Sequence, residues 1–501
     1  MMPRRLSGQL TVFMALLFML VVSLLMAQYR SALFYARRAD AERAAALSVS
    51  SLLAEYQRPL RDYYQILSVD GGFGQDIFQE EILEERLKAV FAENLNSSLG
   101  MDSAGEIQMD EPIFTMLIDG NWDFFLREIS LNRTDAMLSE GLEYIIDQWQ
   151  SKKKEEVLDL SQKQAEAVRS GEGQTGGENK NTGAAENEGL SSEPAQPVID
   201  PRDFVMEIWN QGILAAACPA TFSVSEKSCV MTDVSFPEAG RRIQAAVDFG
   251  DSDSVKALMD QWENILEPGS GIRELVEDAA VRLYIGDVFQ NAASKEVSVA
   301  HERVLDYEVE YIIAGNTSDR ENLETVLWKL MAFRSVMNLS HILMSAEKGM
   351  QVEETAVLLS AALLIPQFVK VIAFLLKTAW AFAEALSDCR TLLKGGKVPL
   401  IKSAESWYLS WEQMLRLDGG ALDGNSGDEG TDYEGYLQML LLLTKRDTKY
   451  RRMTHLMEKN IRLLPEYADF RMAHCIYGVQ VIFDYEAGMG MKGRVQTALS
   501  Y

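Results

Sequence analysis

The chain has 501 residues, of which 47% are hydrophobic and 9% aromatic; this predicts two or three folding units and excludes a wholly disordered protein. Its 74 acidic residues outnumber 48 Lys and Arg, which gives a formal net charge of −26. Because nucleic-acid affinity comes mostly from Lys and Arg side chains that displace counterions, no nucleic-acid partner is expected. The four cysteines form no C-x-x-C pair, so neither a zinc ribbon nor a disulfide scaffold is predicted.

The N-terminus predicts a transmembrane anchor. Residues 1–9 form a short basic segment, and residues 10–28 are apolar apart from three uncharged polar side chains. As a helix, the run Leu10–Ala27 would be about 27 Å long, close to the ~30 Å hydrocarbon core of a bilayer. A cleaved signal peptide is one alternative, although Leu25-Met26-Ala27 places a large residue where a small one is needed for cleavage. A buried core helix is the other alternative.

The helical pattern continues through residues 29–62, which are predicted to form an amphipathic helix. Apolar residues recur at helical spacing from Val49 to Leu60, and Pro59 is the first residue expected to break the helix. Residues 8–58 would then form one helix of roughly 75 Å. Two interpretations remain open. The first is an anchor with an ordinary packed helix, and the second is a pilin-like spine that also packs on neighbouring subunits.

The body that follows is predicted in two parts, residues 63–163 and residues 200–501. Between them, residues 164–199 are rich in glycine and glutamate and poor in apolar side chains, which predicts a disordered acidic linker. In the first part the pattern predicts alternating strands and helices, with strands at 63–69 and 112–118 and helices at 80–96 and 121–154.

The second part is predicted to be mainly helical. A capping box at Ser318–Glu321 predicts the start of an amphipathic helix that runs towards Gly349. Strands are predicted over Tyr307–Gly315, in a hairpin over Leu392–Ile401, and over Met472–Tyr485. The predicted fold class is therefore mainly α with a small mixed β component (α+β), behind a single N-terminal transmembrane helix that extends into a long amphipathic helix.

A second hydrophobic stretch, Ala356–Ala383, is interrupted by Pro366. Lys370, Lys377 and Glu384 recur every seven residues and would form a polar stripe on a helix. Because a lysine at the centre of a bilayer costs ~2.5–3.5 kcal/mol, a buried or oligomer-facing helix pair is the preferred interpretation. A second membrane span or a re-entrant hairpin is the alternative.

No catalytic signature is recognisable, so no catalytic, cofactor-binding or metal-binding residue is assigned and no cofactor is expected. None of the histidines has metal-ligand spacing; they are His301, His341, His455 and His474. The loop Asp418–Glu434 follows a calcium-loop template only in part, because Asp428 stands where that loop needs glycine. Cys218 and Cys229 flank a predicted hairpin and are a candidate disulfide outside the membrane.

The N-terminal sequence resembles a known family. Arg4–Phe13 and the apolar run behind it are similar to the N-terminus of minor pseudopilins of Tad-type (tight adherence) pilus systems, which carry basic residues, a glycine and Thr-Val-Glu. Phe13 stands where those proteins have the acidic residue. Asp306–Gly315 and Ala379–Glu384 are similar to uncharacterised bacterial membrane proteins encoded near such pilus genes. This resemblance implies a pilus-related context without an established activity, and it makes Gly8 and Gln9 a candidate processing site.

From these observations we expect a membrane-anchored, non-catalytic structural protein of a Tad-type pilus or a related secretion or assembly apparatus. An anchored extracellular binding module for envelope polymer or a partner protein is the alternative, and an enzyme with an unrecognised site is a third. The expected location is the plasma membrane, single-pass, with the N-terminus inside and the body extracytoplasmic. Basic residues flank the anchor on both sides, so the pseudopilin resemblance decides this orientation. The expected partners are the membrane and other assembly proteins, and the oligomeric state is left open.

Overall fold

A computed structural model describes residues 7–97, 107–129, 212–219, 221–236, 272–294, 302–416, 429–486 and 492–501. The helices named here are α1 (Ser7–Leu53), α2 (Arg58–Tyr64), α3 (Glu80–Ser97), α4 (Ile213–Ala217), α5 (Ile272–Val288), α6 (Glu308–Ala314), α7 (Asp319–Met344), α8 (Ala346–Ala362), α9 (Val369–Leu393), α10 (Trp411–Arg416), α11 (Tyr433–Leu443) and α12 (Arg446–Ile461). The strands are β1 (Val69–Asp70), β2 (Gln108–Met109), β3 (Ile113–Met116), β4 (Cys475–Glu486) and β5 (Lys492–Ser500). A mainly helical chain with one small antiparallel sheet and one long apolar N-terminal helix confirms the predicted fold class. The predicted linker at 164–199 lies outside the described residues.

Helix α1 is continuous, so the apolar segment and the amphipathic segment belong to one helix, as predicted. The helix ends at Leu53 rather than at residue 58, because the chain tightens there into a turn in which the Glu55 N–H donates to the Leu52 carbonyl. Pro59 then lies in the first turn of α2, where a proline favours the start of a helix rather than breaking it.

The sheet is organised around β4, to which every other strand pairs in antiparallel fashion. β1 and β5 follow one another along one edge of β4, and β3 and β2 follow one another along the other edge, because Ile476 has partners in both β1 and β3. The strands predicted at 112–118 and at Met472–Tyr485 are confirmed as β3 and β4. The strand predicted at 63–69 is largely wrong, since its first residues end α2 and only Val69 enters β1.

The chain forms two compact units, and the first comprises residues 1–131, 224–323 and 438–501. The units are discontinuous in sequence, whereas the sequence predicted successive segments. In the first unit, the C-terminal half of α1 packs on α3 and on the sheet. Phe91 of α3 stacks on Phe483 of β4 with ring centroids 4.0 Å apart. The pairing of β4 with β5 thus brings the C-terminal end of the chain into the same core as its N-terminal helix.

The strand predicted over Tyr307–Gly315 is wrong: the segment is helix α6. The residues of this segment alternate as in a strand, but Glu308 and Glu310 are both fully buried. Glu308 pairs with Arg303 and accepts a hydrogen bond of 2.7 Å from the Asn460 amide. Because these partners neutralise the buried carboxylate, both sides of the segment can be enclosed, and the alternation carried no information about a strand.

A buried carboxyl in the first unit predicts a pH-dependent stability. Glu128 is 3% exposed, and burial raises its pKa to about 7 although the Leu67 N–H donates to it. The folded chain therefore keeps a proton that the unfolded chain releases near pH 4.5, so this group stabilises the fold fully below that pH and loses its contribution as the pH rises to about 7.

Glu128→Gln is expected to remove this loss, because glutamine stays neutral and keeps the acceptor for Leu67. The free energy of unfolding of the variant, relative to the native chain, should rise between pH 4 and pH 8 by at most about 3 kcal/mol. Denaturant titrations in detergent at the two pH values measure the difference. Glu111→Gln, at an exposed glutamate of the same unit, is the control. An identical pH profile for native chain and Glu128→Gln would contradict the prediction.

The second compact unit comprises residues 132–223 and 324–437. Its core is the packed pair α8 and α9, joined through Pro366, with Ile342 of α7 and a tryptophan of α9 in the same apolar cluster. The helix predicted from Ser318 towards Gly349 is divided at Ser345, whose hydroxyl caps α8. This unit thus contains the helix pair that the sequence predicted for Ala356–Ala383.

The hairpin predicted over Leu392–Ile401 is wrong. Leu392 and Leu393 are the last residues of α9, and the chain leaves the helix through Gly395, whose φ of +83° favours glycine. Val398 instead forms an isolated antiparallel bridge with Thr431. The glycine pair therefore ends a helix. Glycine is favoured both at helix ends and in hairpin turns, so the residue type alone does not distinguish them.

Candidate functional site

The N-terminal half of α1 presents apolar side chains to its surroundings in every direction. From Leu10 to Ser31 each residue is exposed, including Phe18 at 68% and Met19 at 70%. The Ser23 hydroxyl donates to the carbonyl of Leu20, so it is satisfied within the helix. Within the described part of the chain, this is the helix that is long and apolar enough to cross a membrane, as an anchor or as a signal sequence.

The C-terminal half of the same helix is built into the first unit. Ala41, Ala44 and Ala45 are almost completely buried, and Val49 and Leu52 continue the same face. This spacing of three and four residues places the five side chains on one stripe, which meets α3 and the sheet. Three alanines allow the backbone of α1 to approach its neighbours closely. One continuous helix thus carries both an exposed apolar segment and a core segment.

The residues of the candidate processing site lie at the very start of this helix. Gly8 and Gln9 are the second and third residues of α1. Phe13 is 59% exposed and belongs to the apolar segment. The first acidic residue of α1 is Asp40, so the whole segment before it lacks a carboxylate.

The candidate disulfide does not form in the structure, where Cys218 and Cys229 are both free, half-buried cysteines. The hairpin predicted between them is replaced by other local structure: Cys218 follows the short helix α4, and Ser228 forms an isolated bridge with Ser318. Cys229 accordingly lies beside the start of α7. The two thiols thus stand in different local settings, and the prediction that paired them rested on a turn that is not formed.

A buried cluster of charged side chains occupies the second unit, and sequence analysis missed all of it except Glu384. Arg334 of α7 is fully buried and donates to Asp388 of α9 at 3.0 Å. Lys402, 3% exposed at its side chain, contacts both Glu384 and Asp388, the latter at 2.6 Å. Arg334 also donates to the backbone carbonyls of residues 399 and 400 at 3.0 and 2.8 Å. Two cations and two anions thus neutralise each other and fasten a loop to two helices.

A half-buried lysine rests on tryptophan faces in the same unit. The Lys348 ammonium lies 4.1 Å from the ring centroid of Trp407 and 4.6 Å from that of Trp380. Burial lowers the Lys348 pKa to about 8, which the carboxylates of Glu384 and Glu347 partly oppose. His341 stacks on Trp407 at 5.2 Å, and burial followed by the charge of Lys348 lowers its pKa. The arrangement holds a cation by the ring quadrupoles and joins α8 to α9.

These arrangements hold the unit together rather than display reactive groups. A cleft of about 270 Å³ opens beside Asp388 and Lys402, but the charged atoms of both are already paired with each other.

Among the residues that the structure describes, no group of three His, Cys, Asp or Glu side chains is placed to hold a metal ion. His301 and residues 417–428 of the acidic loop lie outside the described residues. His455 is buried, and its pKa is lowered to about 4 by burial and by Arg451.

Comparison with known proteins gives one family and no named relative. No curated protein and no solved structure matches the chain. A family model does match residues 191–487, more than half of the chain, and it covers the described helices of the second unit together with strand β4. The chain therefore belongs to a family of unknown function, DUF5702.

Proposed function

We propose that this chain is a non-catalytic structural protein, anchored in the plasma membrane by α1, that serves in the assembly of a Tad-type pilus or a related envelope apparatus. The observation that carries the proposal is the division of α1 into an exposed apolar half and a half that is packed in a folded core. Such a helix fixes the body to its anchor without a flexible joint. From residue 28 to the first buried alanine, Ala41, the helix advances by about 20 Å, so the first unit starts close to the membrane surface.

The same helix supports the pilin-like interpretation of the sequence. The C-terminal half of α1 packs on an antiparallel sheet, and its N-terminal half is apolar on all sides. Lipid or the equivalent helices of other subunits can surround such an apolar half. The buried clusters of the second unit support a structural role, since their charged groups are paired internally.

Loss of the chain is the direct test of this proposal. An in-frame deletion should lower the number of surface filaments, and the full chain should restore them. A version in which residues 1–28 are replaced by a cleavable secretion signal should not restore them, because its body would leave the membrane. Filaments counted by electron microscopy give the result. Normal filaments in the deletion strain would overturn the proposed role.

A second test concerns the part that the chain plays within a filament. In pilins the acid near the new N-terminus pairs with the amine of a neighbour inside the bilayer, where a buried charge needs a partner. Phe13 offers no such partner to an amine on Gln9, so this chain is expected to be absent from filaments or present in low copy. Mass spectrometry of purified filaments measures this.

Phe13→Glu supplies the missing acid and is expected to raise the amount of this chain in filaments, whereas Phe13→Leu is the matched control and should leave it unchanged. The native chain recovered as the dominant subunit, beginning at Gln9, would contradict the prediction.

A further inference from the structure

The connection between α8 and α9 exposes a dense group of large apolar side chains in the second unit. Leu364 is 86% exposed and Leu358 is 72% exposed. We call the end of this helix pair, residues 355–376, the α8–α9 tip. Its exposed large side chains also include Leu363, Phe368, Phe374 and Leu375. The pair was expected to be buried or to face a second copy, yet in the tip only one face of each helix is buried, including Ala356 and Ala373, and the other faces are exposed.

The tip is also poor in groups that need water. Between Glu354 and Lys377 the one charged residue is Lys370. The hydroxyls of Thr355 and Ser360 donate to carbonyls of the preceding helical turn, at 3.1 and 2.9 Å. Both are therefore satisfied inside the helix, as hydroxyls in a lipid environment have to be.

The backbone N–H groups of the turn are satisfied in the same way, except that of Gln367. The N–H groups of residues 363, 364, 365, 368 and 369 all donate to carbonyls of the tip itself, and Pro366 has no N–H. A turn that faced water would not need this, since solvent serves its polar groups equally well. A turn that enters lipid needs it, because nothing in hydrocarbon can accept a hydrogen bond.

Leu364 provides an independent observation. It has a φ of +59°, the left-handed conformation, at the position where helices that end in this pattern normally carry glycine. The bonds from Leu364 to Ala361 and from Ile365 to Ser360 identify that pattern. A leucine there strains the backbone, and its side chain, 86% exposed, gains no contact within the fold that offsets the strain. Strain retained at an exposed apolar side chain points to a role for that side chain, here in a contact outside the chain.

The charges around the tip indicate what that surrounding is. Along α9 the apolar segment ends at Lys377, which pairs with Glu353 of α8 at 3.6 Å. From Val369 to Lys377 the helix advances by about 12 Å, comparable with the ~5–10 Å to which amphipathic helices enter the boundary between headgroups and acyl chains. The exposed Lys370 lies about 10 Å along the helix from Lys377, near the deep end of this segment, so its long side chain has to extend back towards the lipid phosphates.

We propose that the α8–α9 tip inserts into the acyl region of one leaflet of a lipid bilayer as a second, non-spanning membrane contact. Lipid is favoured over a second copy of the chain because exposed apolar residues occupy both helices and the turn, rather than one face with a polar rim. The hydrogen bonds that most N–H groups of the turn make within the tip are also compatible with lipid. This inference rests on the membrane anchoring proposed above.

The test uses the full chain reconstituted in vesicles of phosphatidylcholine and phosphatidylglycerol. Leu364→Cys is labelled with an environment-sensitive nitrobenzoxadiazole fluorophore in a background in which Cys218 and Cys229 are serine; Cys389 and Cys475 are fully buried. The matched control is Ala404→Cys, exposed in the same unit beside Lys402. The Lys402 ammonium contacts α9 at Asp388, about twelve residues beyond the tip. Thermal unfolding of each labelled chain confirms that it is folded.

We expect a doxyl-labelled lipid to quench the label at position 364 several-fold more strongly than the label at position 404. Aqueous iodide should show the opposite order. A label at 364 that iodide quenches freely overturns the inference, and so does one shielded from both quenchers, which would indicate coverage by a second copy. Alkaline extraction of the same vesicles reports on the anchor separately. A chain that is integral but has a water-exposed tip fails this inference alone, and an extractable chain with a lipid-quenched tip fails the anchor alone.

Discussion

A chain that lacks residues 1–28 is expected to leave the membrane pellet on alkaline extraction, whereas the full chain is expected to remain in it. The deleted segment holds the exposed apolar part of α1, in which each Leu, Val or Phe near the bilayer centre favours insertion by about 0.3–0.6 kcal/mol. The body should stay folded, because the first fully buried residue of α1 is Ala41 and the stripe behind it is retained. Fractionation with detection of the body measures both results. At neutral pH the shortened chain is still expected to bind vesicles through the α8–α9 tip.

Point variants of the full chain test membrane insertion without deleting any residue. Arginine at both Leu17 and Val21 places two charges near the centre of the apolar segment, at about 2.5–3.5 kcal/mol each, and should shift the chain towards the extractable fraction. Alanine at the same positions is the matched control and should leave the chain integral. A folded, shortened chain that resists alkaline extraction would reveal a second integral segment. If the mature protein made from the gene for the full chain began beyond residue 28, the apolar segment would be identified as a cleaved leader.

Elements that depend on local pattern could be predicted from the sequence. α3 follows an amphipathic repeat and begins with acidic residues, which suit the positive end of a helix dipole. The start of α7 is set by Ser318, whose hydroxyl accepts from the Glu321 N–H at 3.2 Å. These signals act within one or two turns of chain, so no distant partner is required to interpret them.

Elements that depend on distant partners could not be predicted. The end of α6 is fixed by Arg452, which donates to the carbonyls of Ile312 and Ala314 at 2.8 and 3.0 Å. That guanidinium lies about 140 residues further along the chain, and nothing near α6 announces it. β5 was missed although Gly488 and Gly490 stand between it and β4, a turn signal that could have indicated a hairpin.

The buried charges of the second unit show the same limit. Their carriers come from two helices and a loop, so no spacing in the sequence connects them. Glu384 was noticed as part of a polar stripe with Lys370 and Lys377, and the structure gives these three residues different surroundings. Glu384 is fully buried, Lys377 is half-buried and Lys370 is exposed. A helical repeat locates a face of the helix, but the depth of each residue on that face depends on what packs against it.

Asp388→Ala is expected to lower the free energy of unfolding by about 3–5 kcal/mol, the range for removing one partner of a buried ion pair. The Asp388 carboxylate accepts from the Asn338 amide at 3.0 Å and pairs with Arg334 and Lys402. Without it, Arg334 would lose the carboxylate with which it pairs, and Lys402 would keep Glu384. Denaturant titration of the full chain in detergent measures the loss.

Two further variants distinguish charge from packing. Asp388→Asn keeps an oxygen that can accept from Arg334, so it should cost less than alanine while still leaving the charge unbalanced. Lys402→Met combined with Asp388→Ala leaves one buried cation, Arg334, and one buried anion, Glu384, so the net charge of the cluster is again zero. The double variant should therefore be more stable than the sum of the single losses predicts, by about 0.5–3 kcal/mol.

A surface ion pair provides the control for these losses. Arg320 and Glu226 are 3.2 Å apart with side chains 57% and 76% exposed, so Glu226→Ala should cost about 0–1 kcal/mol. Added salt should shrink that small loss further, because counterions screen exposed charges, but it should leave the loss at Asp388 nearly unchanged. If Asp388→Ala cost no more than Glu226→Ala and responded to salt in the same way, water would have to reach Arg334 and Lys402. The cluster would then not be the enclosed, self-neutralising core that fastens the loop to α7 and α9.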